Sequence, residues 1–194
     1  SGLSMGMCGI PWWNSDIGGF WGADIESDYF RELIVRWFQF GVFCPVMRLH
    51  GSRQKQSDFV EKNPGIIEPS GGDNEIWSFG EANYPILKSL IELRERLMDY
   101  ICKYMDINAK TGAPIMRPMF FDYPEDPVCY TLEDQYLYGS EILFAPIYEQ
   151  GATSREVYLP AGNWIRTSTK EKFCGGTTIT CQAKLDEFIA FVKE

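Results

Sequence analysis

Residues 12–20 read Trp12-Trp13-Asn14-Ser15-Asp16-Ile17-Gly18-Gly19-Phe20. Two large aromatics run into a polar, glycine-rich turn, which marks where a buried extended segment ends and the chain changes direction. Upstream, Leu3 to Trp13 mixes small and apolar residues without alternation, the pattern of a strand buried on both faces. Downstream, Phe30, Leu33, Ile34, Trp37, Phe38 and Gly41 recur at three- and four-residue intervals. That spacing predicts a helix over Ser27 to Phe43 with one buried face. Gly41 to Leu49 reads as a second short buried segment, ending at Arg48-Leu49-His50-Gly51. Strand, loop, helix, strand, loop is the succession of a parallel α/β sheet.

Gly51 to Gly80 is polar and is expected to be a long loop, of the kind that serves as a functional insertion or lid. The helical period returns over Tyr84 to Ala109, with Pro85 tolerated in the first turn and Gly112 as a C-terminal stop. Beyond Gly112 the segments Ile115–Phe121, Tyr136–Tyr138, Ile142–Tyr148, Glu156–Leu159, Thr177–Thr180 and Phe188–Val192 are short and rich in β-branched or aromatic residues. Pro and Gly punctuate them, which predicts an antiparallel sandwich. A boundary near Gly112 separates residues 1–112, the end of an α/β unit, from residues 113–194, a small all-β unit.

Composition excludes several classes. Of 194 residues, 45% are hydrophobic and 15% aromatic, enough to build a core. The net charge of −9, with no basic cluster, argues against a nucleic-acid partner. A single histidine, His50, excludes a site built from two imidazoles. The six cysteines form no CxxC and read as free buried thiols, so a reducing, cytoplasmic compartment is expected. The longest apolar stretch, Leu33 to Met47, is broken by Arg36 and Gln39, which argues against a membrane partner. No leader precedes it, and a chain opening on Ser1 reads as a piece of something longer.

In a parallel α/β architecture chemistry gathers at the carboxyl ends of the strands. Two such ends stand out. At the first, Asp16 lies between aromatic rings and a Gly-Gly turn. Its carboxylate can accept hydroxyl hydrogen bonds while a ring covers a sugar's C–H face. The alternative is that Asp16 caps a turn and the tryptophans fill core. At the second, His50 can donate to a hydroxyl and Arg48 can fix a carboxylate. The alternative there is a loop histidine beside a structural ion pair. Gly72-Asp73-Asn74 reads as a solvated turn, and Tyr29, Phe30, Trp37 and Phe38 as helix core. Gly18-Gly19 is no phosphate loop, since no GxGxxG or GK[ST] accompanies it.

Several blocks, in order, resemble glycoside hydrolase family 31, the retaining α-glucosidases and α-xylosidases. They are Gly9–Trp13 with Ser15–Phe20, Arg36–Gly41, Pro45–Gly51, Thr111–Phe120, Asp134–Gly139, Ala145–Ile147 and Val157–Trp164. The resemblance implies that residues 1–112 are the last strands and helices of a (β/α)8 TIM barrel. It implies that residues 113–194 are the proximal C-terminal β-sandwich. It places Asp16 and Phe20 at the −1 sugar subsite and gives His50 a hydroxyl of the same sugar. Trp13, Trp12 and Arg48 become shell residues.

The family's catalytic nucleophile and acid/base are aspartates on earlier strands, so both are expected upstream of residue 1 and neither is assigned here. The resemblance implies no metal or organic cofactor, because carboxylates and water suffice. Its implied partners are an oligosaccharide or α-glycoside substrate and the remainder of the parent chain, with a homo-oligomer left open. Frequency within the family favours glucose over xylose. Without the missing strands a barrel cannot close, so the isolated piece is expected to be inactive and prone to aggregate. A non-catalytic carbohydrate-binding module, or transglycosylation or lyase chemistry on the same fold, are the competing readings.

Overall fold

The computed structural model describes residues 1–53, 65 and 72–194. Helix α2 (Asp28–Val42) is the strut of the N-terminal half. Ser27 opens it, its Oγ accepting from the Phe30 N–H at 3.2 Å, and Asp28 places a negative charge in the first turn. Of the predicted stripe Phe30, Ile34, Phe38 and Gly41 are buried and Leu33 and Trp37 half-buried; Val35 and Val42 are buried as well, while Tyr29, read as core, is exposed.

The expected strand over Leu3 to Trp13 is absent. Gly2–Met7 forms a short helix, α1, and the chain continues without regular structure to Asp16. Only Gly6 of α1 is buried, and a short run of small and apolar residues has no period that separates helix from strand. The Tyr84–Ala109 segment forms two helices, α3 (Tyr84–Arg96) and α4 (Met98–Thr111). They break at Leu97, whose N–H is shared between the Leu93 and Arg94 carbonyls. Gly112 ends α4 in the left-handed conformation at φ 77°. The 51–80 loop, with its expected lid role, lies largely outside the described residues.

After Gly112 come β1 (Met116–Arg117), the helical turn α5 (Met119–Asp122), β2 (Tyr136–Tyr138), β3 (Ile142–Phe144), β4 (Ser154–Leu159), β5 (Asn163–Arg166), β6 (Lys172–Cys174), β7 (Thr177–Gln182) and β8 (Ala190–Lys193). The predicted strand over Ile115–Phe121 is cut to two residues because Pro118 has no N–H to give the ladder. β5 and β6 went unread in the sequence. One sheet has the order β1-β2-β3-β8-β5-β6 and the second pairs β4 with β7, every pair antiparallel.

Alternation along the large sheet builds two cores. Tyr136, Tyr138, Ile142, Phe144 and Ala190 face the helices in one cluster. Leu137, Leu143 and Phe191 face the second cluster, with Val157, Leu159 and Trp164. The result is three layers: helices, large sheet, small sheet. The first core includes residues on both sides of Gly112.

Guanidinium groups, buried at Arg36 and half-buried at Arg94, tie the layers. Arg36, 8% exposed, donates to the carbonyls of Ala152, Ala183, Lys184 and Glu187 at 3.1–3.3 Å. Gln39, one turn on, donates to Leu185 O at 2.7 Å. Arg94 binds the carbonyls of Val42, Cys44 and Pro45 and the Tyr138 hydroxyl. Of the six free cysteines, Cys44, Cys129 and Cys181 are buried as expected, but Cys8, Cys102 and Cys174 are exposed. Burial pushes the Cys129 thiol to about 12, with Asp126 adding to the rise, so it stays protonated. No helix among the described residues is long and apolar enough to cross a membrane.

Arg36→Met removes five hydrogen bonds and leaves buried carbonyls unpaired, so it should lower unfolding free energy by about 3 kcal/mol. Lys88→Ala breaks only the exposed Lys88–Glu92 pair and should change it by less than about 0.5 kcal/mol. Urea denaturation of both variants checks the contrast.

Candidate functional site

The two segments singled out in the sequence run side by side in the same direction, although Gly41–Leu49, like Leu3–Trp13, forms no strand: α2 runs to Val42 and only Leu49 enters a bridge. Parallel bridges join Ile17 to Leu49 and Trp21 to Ser52. The Ile17 N–H donates to Arg48 O at 3.1 Å and the Ser52 N–H to Phe20 O at 2.9 Å. Ile17 is buried, which leaves its neighbour Asp16 directed away from the core. Asp16 and Phe20 therefore sit on one segment, and Arg48 and His50 on the adjacent one.

Arg48 Nη2 donates to Asp16 Oδ1 at 2.8 Å, and Asn14 Nδ2 reaches the same oxygen at 3.4 Å. The Arg48 hydrogen bond holds the Asp16 carboxyl below its usual 3.8, with smaller help from the charges of Arg48 and His50 against a desolvation that opposes it. Oδ2 of Asp16 has no hydrogen-bond partner among the described residues. The Phe20 ring lies 5.5 Å from the His50 imidazole and 5.1 Å, edge-on, from Trp21. Phe20, Trp21 and His50 are all exposed. A free carboxylate oxygen, an imidazole and an apolar ring on one surface can take hydroxyl groups on one edge of a pyranose and its C–H face on another.

The turn carrying Asp16 and Phe20 is held from inside by a residue the sequence reading did not single out. Arg53 is 1% exposed. Its Nη1 donates to Gly18 O at 2.7 Å, Gly19 O at 2.9 Å and Gly22 O at 3.5 Å, and its Nη2 to Ile17 O at 3.2 Å. Nε donates to Asn74 Oδ1 at 2.8 Å, and Asn74 Nδ2 donates to Gly51 O at 3.1 Å. Gly51, at φ 143°, is required here, because a Cβ would stand 2.2 Å from Gly19 O. Gly72-Asp73-Asn74 is thus more than a solvated turn. Asp73 is exposed, but Asn74 belongs to this network. The available signal was the Gly-Gly turn itself, whose carbonyls need donors, though the sequence does not say which cation supplies them.

The tryptophans go elsewhere. Trp13 lies 6.4 Å from Phe40 and against Gly2 of α1, and Trp12 Nε1 donates to Asn108 Oδ1 at 3.2 Å. Both pack against the first core, as the core-filling alternative had it. Ser15, next to Asp16, faces the helix layer and accepts from Trp37 Nε1 at 2.9 Å. No cluster of three or more His, Cys, Asp or Glu among the described residues could hold a metal ion.

Comparison with known proteins matches two family models in chain order. Residues 1–104 match the glycosyl hydrolases family 31 TIM-barrel domain, and residues 112–194 the glycosyl hydrolase family 31 C-terminal domain. An α-xylosidase of Saccharolobus solfataricus is 32% identical over 194 residues, all of this chain and 24% of that protein. Alpha-glucosidase 2 of Bacillus thermoamyloliquefaciens is 33% identical over 99% of this chain and 22% of its own. Among solved structures, a family 31 α-xylosidase from a soil metagenome, complexed with xylose, is 49% identical with a TM-score of 0.92. It covers 100% of this chain, which spans 29% of it. The chain therefore spans about a quarter of the curated relatives it matches. With a partial barrel leading into an antiparallel sandwich, and both parts matched in order, the chain belongs to glycosyl hydrolase family 31.

Proposed function

We propose that this chain forms one wall of the glycone pocket of a retaining α-glycosidase that releases a terminal α-linked xylose or glucose. In this reading residues 1–112 are barrel and residues 113–194 the sandwich that braces it. The carrying observation is the Asp16 carboxylate: Arg48 occupies Oδ1, while Oδ2 has no partner among the described residues and can accept sugar hydroxyls. His50 offers a second polar contact beside it, and Phe20 an apolar face. Trp13 keeps at most an indirect part, through packing behind the pocket.

Retaining glycosidases use two carboxyl groups, a nucleophile and an acid/base, about 5–5.5 Å apart. Asp16 suits neither task. In the family it resembles, the two reacting aspartates lie on barrel strands that precede the Asp16-Ile17-Gly18-Gly19-Phe20 block, and the ion pair with Arg48 fits a carboxylate that binds substrate. Asp16 binds and orients, and the two reacting aspartates belong to other strands of a longer protein. The 49% identity to an α-xylosidase favours xylose over the glucose preference that family frequency suggests.

In the gene product that includes upstream sequence, Asp16→Asn should lower kcat/KM on nitrophenyl α-xyloside about a hundredfold, the equivalent of one or two charge-assisted hydrogen bonds. The 194-residue chain alone should show no turnover. Turnover by the chain alone comparable to a full-length relative would contradict this reading.

Because the folded-state pKa of Asp16 is lowered, its charge persists above that value and is lost as pH falls through it. Sugar affinity should follow. Arg48→Leu removes the largest cause of the lowering, so the pH at which affinity is half lost should move upward, as calorimetric titration with methyl α-xyloside would show.

A further inference from the structure

We propose that Arg53 is a positioning residue for the sugar pocket, its buried guanidinium setting where the Asp16 carboxylate, the Phe20 ring and the His50 imidazole stand relative to one another. This rests on the glycosidase reading above and names the device that aligns that site.

A buried arginine usually ties separate elements, as Arg36 does. Arg53 instead collects four carbonyls from six consecutive residues, Ile17 to Gly22, the turn that begins next to Asp16 and contains Phe20. Gly18 and Gly19 both hold positive φ, 85° and 84°, so the turn has little conformational preference of its own. Its shape is imposed by the donors inside it. The same guanidinium reaches the other segment, since Nε binds Asn74 Oδ1 and Asn74 Nδ2 binds the carbonyl of Gly51, the residue after His50. Both walls of the pocket are thereby registered on one planar fork. The fork stands 5.3 Å from the Phe30 ring, which keys it to α2. Lysine cannot replace it, having three donors on a single nitrogen and no planar spread.

His50 is the only histidine of the 194 residues, so in this chain by itself its Cε1–H proton signal reports on the pocket without assignment. Three variants decide the matter: Arg53→Lys, Asn74→Ala and, as control, Arg117→Lys. Arg117 is also buried but binds Pro114 O and Asp122 at the start of the β-rich half. The His50 signal should move in Arg53→Lys, move less in Asn74→Ala, and stay in place in Arg117→Lys although its Tm falls. Affinity for methyl α-xyloside should drop about tenfold in Arg53→Lys, the loss of roughly one hydrogen bond to the sugar. In the longer gene product kcat/KM on nitrophenyl α-xyloside should fall by the same factor and be unchanged in Arg117→Lys. These kinetics decide if the chain alone self-associates.

A wild-type His50 signal or wild-type kcat/KM in folded Arg53→Lys would overturn the proposal, as would an equal displacement in Arg117→Lys. If Arg53→Lys does not fold, an unmoved signal in Asn74→Ala overturns it and a moved one supports it. Failure of the glycosidase reading looks different: the longer gene product with its wild-type residues would then turn over neither nitrophenyl α-xyloside nor nitrophenyl α-glucoside.

Discussion

Two parallel segments joined by single bridges cannot hold a binding site in register by themselves. A full ladder spreads the cost of ordering over many hydrogen bonds, whereas the Ile17–Leu49 and Trp21–Ser52 bridges supply few. The alignment of the pocket therefore depends on the charge-assisted bonds that converge on the Arg53 guanidinium. Such bonds are shorter and stronger than neutral ones, and in a dry site they offset the cost of burying the cation. Burial draws the Arg53 pKa below its usual value, yet arginine keeps its charge throughout the working range.

The same solution recurs in the fold. Arg36 gathers the carbonyls of the 183–187 loop onto α2, and Arg94 gathers those that follow α2. Each sits where the chain leaves regular structure and buried carbonyls lack ladder partners. The large sheet divides the apolar residues between helices and small sheet, and α2 links both through Arg36. The surface carrying Asp16, Phe20 and His50 is thus one end of a frame whose other end is the β-sandwich.

Much of this was legible in the sequence, for physical reasons that can be named. Helix α2 carries a cap, an apolar stripe and a charged first turn, all local signals, and Gly112 marks the end of α4 through its backbone freedom alone. The adjacency of Asp16, Phe20, Arg48 and His50 came with the family resemblance, since the strand expected before Asp16 is a short helix and irregular chain. The rest was not local. Leu3–Trp13 has no period that separates helix from strand, and the break at Leu97 has no proline or glycine to announce it. Arg53 looks like any loop arginine until the carbonyls of a turn thirty-odd residues upstream are folded around it. Trp12 and Trp13 read equally well as ligand shell and as core, and only packing against α1, α2 and α4 separates the two.

The central claim is that Asp16 and His50 grip the same pyranose ring. The most direct measurement is a crystal structure of the longer gene product with an unhydrolysed α-xyloside bound. The account predicts one sugar with hydroxyl oxygens about 2.5–3.0 Å from Asp16 Oδ2 and within hydrogen-bond reach of His50, its C–H face toward Phe20. A sugar bound without touching Asp16, or one that leaves the Arg48–Asp16 corner filled by other protein side chains, would contradict it.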